Sequence, residues 1–235
     1  GLPALDFTDL NLNEANNSTL SNYWSDMTEA EQEIVLQHVS VRYDALIKLV
    51  DTEIGNVLSA VEGHGALEDT LVVFWADHGE SLFDRNRYGH GITLYQEEAN
   101  VMAMYYSPTL KGRSWPGRTV HQDITPTILE TLGLPVPADL TGRVVGTRTD
   151  EESIFSYLLK PNAFQISASR GSFRMHYEWE SGAKELFHTD DDPLETNNVY
   201  NYQHPAVGEI WGELDLIIDR IDELVEVKGP TAAHP

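Results

Sequence analysis

The sequence predicts an α/β fold that ends in a small antiparallel sheet and a closing helix. First, apolar residues recur three or four positions apart over a long stretch, and a continuous apolar run follows; this pattern is typical of a helix that leads into a buried strand. Second, the chain beyond Pro135 contains short strand-like segments separated by turns. Third, an apolar stripe in residues 206–225 predicts a terminal amphipathic helix.

The long helix is predicted to start at Thr28, because Thr28 and Glu31 have the spacing of a capping box. Its apolar stripe continues to Gly63 and Gly65, and glycine commonly ends helices. Residues 70–76 form a continuous apolar run rich in β-branched side chains. Such a run predicts a buried strand of a parallel sheet.

A loop, 77–98, that is dense in His, Asp, Glu, Arg and Gly separates this strand from a second one, predicted at 101–106. Asp123 is expected to cap a helix at 126–132, since a carboxylate can accept the free N–H groups of a first turn. The short strands of the terminal sheet are predicted at 153–159, 164–170, 172–180 and 184–188.

The chain is strongly acidic, with a net charge of −23 from 15 Lys and Arg against 38 Asp and Glu. Such a surface repels phosphate backbones, so we expect no nucleic-acid partner. No apolar run approaches the roughly 20 residues of a membrane span. The first residues show no signal-peptide pattern, and the compartment stays open, with an extracytoplasmic location as one alternative. The absence of cysteine excludes disulfides and thiol nucleophiles.

Two short motifs carry the strongest chemical signal: Asp77-His78-Gly79-Glu80 and Gly89-His90-Gly91. Asp77 directly follows the predicted strand, at the edge where open α/β sheets bind ligands. A carboxylate beside an imidazole offers an oxygen and a nitrogen to a divalent metal. His90 can return to the same place and contact an anionic oxygen. A plain turn, with Asp77 as a cap and His78 exposed, is the alternative interpretation.

Two weaker candidates lie nearby. Arg87, in the same loop, can contact an anionic substrate, and His121, at the predicted start of a helix, can face the site. The other charged residues of the loop, Glu80 among them, are interpreted as solvated charges or salt-bridge partners.

Several stretches together resemble the sulfatase family of the alkaline-phosphatase superfamily, specifically the C-terminal half of such an enzyme. They occur in the family's order and are residues 43–51, 68–80, 88–98, 121–133 and 185–198. The resemblance implies a partial alkaline-phosphatase-like α/β/α sandwich. The implied domains are an arm or loop at 1–27, the C-terminal part of the α/β domain at 28–150, an antiparallel-sheet subdomain with its helix at 151–228, and a tail at 229–235.

The resemblance also implies roles for the motif residues. Asp77 and His78 match a pair of metal ligands, and His90 matches a cation that contacts the substrate near the leaving group. Many sulfatases have Asn where His78 stands, whereas His is usual in phosphatase, phosphodiesterase and phosphonate hydrolase relatives. The implied cofactor is one divalent metal, Ca²⁺ or Mn²⁺, with Zn²⁺ as an alternative, which acts as a Lewis acid on a sulfate or phosphate ester.

The family's nucleophile is a formylglycine made from Cys or Ser in a C/S-x-P-x-R pattern, or an unmodified Ser or Thr. It is expected in an N-terminal half that this chain does not contain. We therefore expect a fragment whose partner is that half and which is inactive alone as a sulfuric ester hydrolase. The alternatives are a phosphodiesterase, phosphatase or phosphoethanolamine-transferase relative and, in a different class, a non-catalytic scaffold or truncated domain.

Overall fold

The computed structural model describes residues 17–225 except 109, 111, 113, 116, 161 and 162, and only the backbone of residues 17–20, 163 and 221–225. The helices are α1 (Asn17–Asp26), α2 (Glu29–Gly63), α3 (Gln96–Ala99), α4 (Ile124–Thr131) and α5 (Pro205–Val225). The strands are β1 (Val72–Trp75), β2 (Ser81–Leu82), β3 (Tyr88–Gly89), β4 (Ala103–Tyr106), β5 (Ile154–Lys160), β6 (Ala163–Arg170), β7 (Phe173–Glu178) and β8 (Lys184–His188).

The chain divides into two compact units. The first consists of Gly1–Thr70 and His78–Ile92, and the second of Leu71–Asp77 and Thr93–Pro235. The predicted domain boundary between residues 150 and 151 lies inside the second unit and stays a prediction. The predicted tail, 229–235, and the first 16 residues of the predicted arm lie outside the described residues.

Helix α1 corrects one prediction. The stretch 1–27 was expected to be an arm or loop, yet Asn17–Asp26 is helical. Its Trp24 is buried with Val35 of α2 and with Phe83. The helix is therefore held by one apolar contact. The asparagine-rich sequence around Trp24 gave no indication of it.

Helix α2 begins as predicted. The Thr28 N–H donates to Glu31 Oε2 at 2.8 Å, and the Glu31 N–H donates to Thr28 Oγ1 at 3.4 Å, so the capping box is confirmed. The helix ends at Gly63, also as predicted. No described element covers most of its apolar stripe, however: Val35 is the one buried residue of α2, and Leu46, Ile47, Val50 and Val57 are exposed.

The strand predicted at 70–76 exists as β1, but its setting differs from the prediction. It pairs antiparallel with β4, from Val72 opposite Tyr106 to Trp75 opposite Ala103, in a two-stranded sheet. Trp75 is 49% exposed. The expectation of a buried strand in a parallel sheet is therefore wrong for the described residues, because β4 is its one neighbour among them.

The predicted terminal sheet is confirmed. Strands β5, β6, β7 and β8 form an antiparallel sheet in sequence order, and α5 packs against it. The core contains Ile166, Met175 and Leu186 from the sheet and Ile210 and Leu214 from the helix, all fully buried. These helix positions belong to the apolar stripe that predicted α5.

The loop after β8 is fastened by its own polar side chains. Asp192 accepts hydrogen bonds from the Thr196 and Asn197 N–H groups, and Asn198 Oδ1 accepts one from the Leu186 N–H at 3.1 Å. The first two bonds pair N–H groups of the loop itself, and the third pairs an N–H group of the edge strand β8. The loop therefore closes over β8 without a further strand.

Glu195, in the same loop, is a buried carboxylate with a φ of +54°. It contacts Arg174 Nη1 at 3.0 Å and accepts the Gln96 N–H at 2.9 Å. Burial raises the pKa of Glu195, but its contacts with His176, Arg174 and the Gln96 N–H outweigh burial and hold the pKa below its ordinary value. The carboxylate stays charged and ties the start of α3 to the sheet.

No helix among the described residues is long and apolar enough to cross a membrane.

Truncation of the core predicts a clear loss of stability. Leu214→Ala is expected to lower the free energy of unfolding by about 2–5 kcal/mol, because it leaves a cavity under a fully buried position. Leu216→Ala is the matched control, since Leu216 lies on the same helix and is 71% exposed. Urea unfolding measures both, and equal midpoints for the two variants would contradict the packing of α5.

Candidate active site

The β2–β3 hairpin carries the predicted catalytic histidine. In its register, Ser81 lies opposite Gly89 and Leu82 lies opposite Tyr88. The residues just outside the first pair, Glu80 and His90, are therefore brought face to face. Both belong to the first unit.

Glu80 and His90 form a close carboxylate–imidazole pair. His90 Nδ1 lies 3.1 Å from Glu80 Oε2 and 3.3 Å from Oε1. Glu80 has no proton to give when ionised, so Nδ1 carries the proton and donates it. This leaves the Nε2 side of a half-exposed ring for other contacts. Glu80, which the sequence suggested to be a solvated charge or salt-bridge partner, thus has His90 as its neighbour.

His78 lies against His90. Their ring centroids are 4.3 Å apart with a tilt of 31°. His78 Nδ1 lies 2.9 Å from the Gly79 carbonyl oxygen. A carbonyl only accepts, so the neutral ring has its proton on Nδ1 and its lone pair on Nε2. A metal-binding histidine commonly has this arrangement.

His121 belongs to the second unit. Its Nε2 lies 3.0 Å from the Ala76 carbonyl oxygen, where it donates a hydrogen bond. Ala76 immediately precedes Asp77, which is exposed. The ring therefore supports the chain at the end of β1. Gly142 packs against the same turn, where a Cβ would lie 1.8 Å from the Gln122 carbonyl oxygen.

Asp123 corrects a further prediction, because its side chain makes no capping hydrogen bond to α4. It instead accepts the N–H groups of Val120 and Arg143, and its two oxygens bind the Arg148 guanidinium at 2.7 and 2.9 Å. Burial alone raises the pKa of Asp123, but these hydrogen bonds and the Arg148 charge outweigh it and lower the pKa. This buried pair fixes the turn that carries His121.

The structure thus brings together some predicted site residues and not others. His78 and His90 are in contact, and Arg87 is exposed on the connection between β2 and β3. Asp77 precedes His78 in the chain. Among the described residues, no group of three His, Asp or Glu side chains is close enough to hold a metal ion. The described residues therefore form no complete metal site, and Asp77 and His78 stay predicted ligands.

Sequence reasoning missed the support under the hairpin. Trp24 stacks on Phe83 with centroids 3.9 Å apart and donates from Nε1 to Asn86 Oδ1 at 3.1 Å. The contacts join residues about sixty positions apart, so no local pattern announces them. The aromatic pair Tyr23-Trp24 in an asparagine-rich stretch was the available signal.

Sequence reasoning also passed over a second feature. Ser114-Trp115-Pro116-Gly117-Arg118 matches the pattern C/S-x-P-x-R. Ser114 is exposed, Trp115 packs edge-on against Tyr105, and Arg118 Nη2 donates to Thr189 Oγ1 at 3.3 Å. Structural contacts therefore account for the tryptophan and the arginine, both of which lie in the second unit.

Comparison with known proteins decides the family. The model of the sulfatase family matches residues 12–134, more than half of the 235-residue chain. The chain belongs to the sulfatase family. The match includes α2, β1, the hairpin with His78 and His90, and α4, so the candidate site lies within it.

Individual sulfatases are similar over much of the chain. Arylsulfatase K of Rattus norvegicus is 25% identical over 67% of this chain and 25% of its own length. An arylsulfatase of Clostridium perfringens is 26% identical over 71% of this chain and 37% of its own length. The solved structure of a 2-O GAG sulfatase superimposes with a TM-score of 0.63 at 20% identity, over 82% of this chain and 44% of that chain.

The structural likeness shows that this chain has the alkaline-phosphatase-like fold that the sequence predicted. The chain spans about a quarter to two fifths of the length of these curated relatives.

The buried ion pair of Asp123 with Arg148 predicts a pH-dependent stability for this chain. Asp123→Asn is expected to lower the free energy of unfolding at pH 7 by about 3–5 kcal/mol, because Arg148 keeps a largely buried charge without its carboxylate. Since the pKa of Asp123 is depressed, the contribution is complete above about pH 4 and is lost as the pH falls through that pKa. Urea unfolding at decreasing pH should show parent and variant converging.

Glu152→Gln is the control for this measurement. Glu152 pairs with Arg143 where both side chains are partly exposed, and such pairs contribute about 0–1 kcal/mol. If Asp123→Asn were no more destabilising than this control, the buried pair would not stabilise the turn.

Proposed function

We propose that the chain is the C-terminal part of a metal-dependent sulfatase that hydrolyses sulfate esters, with His90 as a catalytic residue. The observation that carries the proposal is the contact of His78, His90 and Glu80 on one hairpin, inside the segment that matches the sulfatase family. The two relatives named as arylsulfatases support a sulfate ester as the substrate class.

Asp77 and His78 are proposed as two ligands of a divalent metal. The donor types fit, because Asp77 offers a carboxylate oxygen and the Gly79 contact leaves the lone pair of His78 on Nε2. The remaining ligands have to come from outside the described residues. When bound, the metal supplies Lewis-acid polarisation of the ester group. Ca²⁺ or Mn²⁺ is favoured, and Zn²⁺ is the alternative.

His90 is proposed to act at the leaving group. Glu80 accepts a hydrogen bond from Nδ1 of His90, which leaves Nε2 to face the substrate. When the ring is doubly protonated, Nε2 carries the second N–H. That N–H donates to the ester oxygen as the bond to sulfur breaks, and the leaving alcohol departs neutral. The positive ring also offsets the charge of the substrate in a chain whose net charge is −23.

Arg87 is retained as a second contact for the anionic substrate, because it is exposed on the same hairpin. His121 is assigned a different role from the substrate contact that the sequence suggested. Its Nε2 is engaged by the Ala76 carbonyl oxygen, so its contribution is to support the chain that leads into Asp77.

The nucleophile, a formylglycine in many sulfatases by the resemblance, is proposed to lie in an N-terminal part of the same protein. The relatives' additional length supports this part as the partner. Exposed apolar side chains on two elements also support it, because an additional part of the protein would remove them from water. They are Leu46, Val50 and Val57 on α2, and Met104 and Tyr106 on β4. The chain alone is then inactive.

Removal of the proposed metal carboxylate provides the first test. In the complete protein that contains this chain, Asp77→Ala is expected to remove the divalent metal measured by elemental analysis, since the site loses a charged ligand. Asp69→Ala is the control, because Asp69 is an exposed carboxylate of the same charge. Unchanged metal content in Asp77→Ala would refute the ligand assignment.

Removal of the proposed proton donor provides the second test. His90→Ala in the complete protein is expected to lower turnover of 4-nitrophenyl sulfate by about a hundredfold to ten-thousandfold while metal content stays the same. His64→Ala is the control, since His64 is exposed at the end of α2. Equal turnover of parent and His90→Ala would exclude the catalytic role.

The same assay separates the alternatives. Parent turnover of 4-nitrophenyl phosphate in place of the sulfate would favour a phosphatase or phosphodiesterase, and no turnover of either would favour a scaffold. Ser114→Ala is expected to keep full turnover. A loss would place the nucleophile in this chain.

A further inference from the structure

The connection of the hairpin, between β2 and β3, has an unusual backbone. Phe83, Arg85 and Asn86 have φ values of +73°, +49° and +59°, in the left-handed region. Side chains other than glycine, and to a smaller extent asparagine, are disfavoured there. A backbone of this kind persists only when surrounding contacts hold it.

Helix α1 supplies those contacts, within the same unit. Trp24 stacks on Phe83 with an angle of 14° between the rings. Its indole N–H donates to Asn86 Oδ1 at 3.1 Å. Ser21 Oγ accepts the Tyr88 N–H at 3.1 Å. Two of the three positive-φ residues and the first residue of β3 are thus held by one helix.

Trp24 is itself fixed from α2. It is 7% exposed and lies in a cluster with Val35 and Phe83. Its carbonyl oxygen accepts a hydrogen bond from Gln32 Nε2 at 2.9 Å. The indole therefore has a fixed place against which the hairpin rests.

The hairpin conformation determines where His90 lies. Gly89 and Gly91, on either side of it, have φ values of +104° and +65°. Because glycine adopts many backbone conformations, these two residues do not by themselves fix the position of the His90 ring. The pairing of Ser81 with Gly89 is what sets Glu80 against His90. A hairpin that relaxed would move His90 relative to Glu80 and His78.

We propose that Trp24 is a positioning residue for His90: by its stack on Phe83 and its hydrogen bond to Asn86, it holds the hairpin in the form that keeps His90 against Glu80 and His78. The consequence for turnover rests on the proposed function. Trp24 contacts neither His90 nor the substrate in this account, and it acts through the hairpin.

The test uses the complete protein. Trp24→Phe keeps an aromatic ring for the stack and removes the N–H donor. We expect kcat for 4-nitrophenyl sulfate to fall about tenfold with KM nearly unchanged, since a small displacement of a catalytic group slows the chemical step. Metal content should stay at the parent level, and the melting temperature within about 2 °C of it.

Variants at the acceptor sharpen the test. Asn86→Asp keeps an oxygen acceptor and a residue type that tolerates positive φ, and it should retain the parent kcat. Asn86→Gly fits the backbone but lacks the acceptor, so it should lower kcat as Trp24→Phe does. Because both changes remove one hydrogen bond, the double variant should be no slower than either single variant. Tyr23→Phe, at an exposed position of α1, is the control.

A second readout does not depend on turnover. With selectively labelled histidine, nuclear Overhauser contacts between the His78 and His90 rings should be present in the parent and Tyr23→Phe and weakened in Trp24→Phe. Retention of these contacts and of kcat in Trp24→Phe would overturn the proposal. A lower melting temperature with unchanged kcat would also overturn it, because Trp24 would then be only structural. If the parent hydrolyses no sulfate ester, the proposed function fails, and the ring contacts still decide the role of Trp24.

Discussion

The register of one short hairpin is the constraint on which the candidate site depends. Because Ser81 pairs with Gly89, Glu80 faces His90, and the two side chains meet at 3.1 Å. A slip of one residue would send these side chains to opposite faces and separate them. Helix α1 prevents that slip through Trp24, from the opposite end of the hairpin. The placement of a catalytic candidate is therefore tied to a helix that itself carries no chemistry.

The chain has few positively charged side chains with which to contact an anionic substrate. The chain has 15 Lys and Arg against 38 Asp and Glu. In the second unit, Arg148 and Arg174 are committed to the buried carboxylates Asp123 and Glu195, which would be costly to leave unpaired. These arginines hold turns together. Under the proposed function, a substrate anion contacts His90, Arg87 and a metal that Asp77 and His78 help to hold.

Local signals predicted local structure well. The capping box at Thr28 and the apolar stripe of α5 depend on residues a few positions apart, and both predictions are confirmed. The wrong predictions concern distant partners. Residues 70–76 have the composition of a buried parallel strand, yet the strand found there has β4 as its one described neighbour. The role of Asp123 also depends on Arg148, twenty-five positions away, and not on the helix beside it.

The candidate site shows the same division. The sequence identified His78 and His90 from their motifs, and the structure places their rings 4.3 Å apart. It could not show that Glu80 is the partner of His90, because that contact follows from the pairing of β2 with β3. The role of Trp24 could not be predicted either, because it depends on a contact with Asn86, sixty-two positions away. Candidate residues could thus be chosen from residue types, whereas the contacts that support them required the fold.

The decisive measurement is a crystal structure of the complete protein with its metal and a slowly hydrolysed sulfate ester, because it locates both relative to Asp77, His78 and His90. We expect an anomalous metal peak bonded to the Asp77 carboxylate and His78 Nε2, with His90 Nε2 about 3 Å from the ester oxygen of the leaving group. A metal held without Asp77 and His78, or an ester bound away from His90, would contradict it.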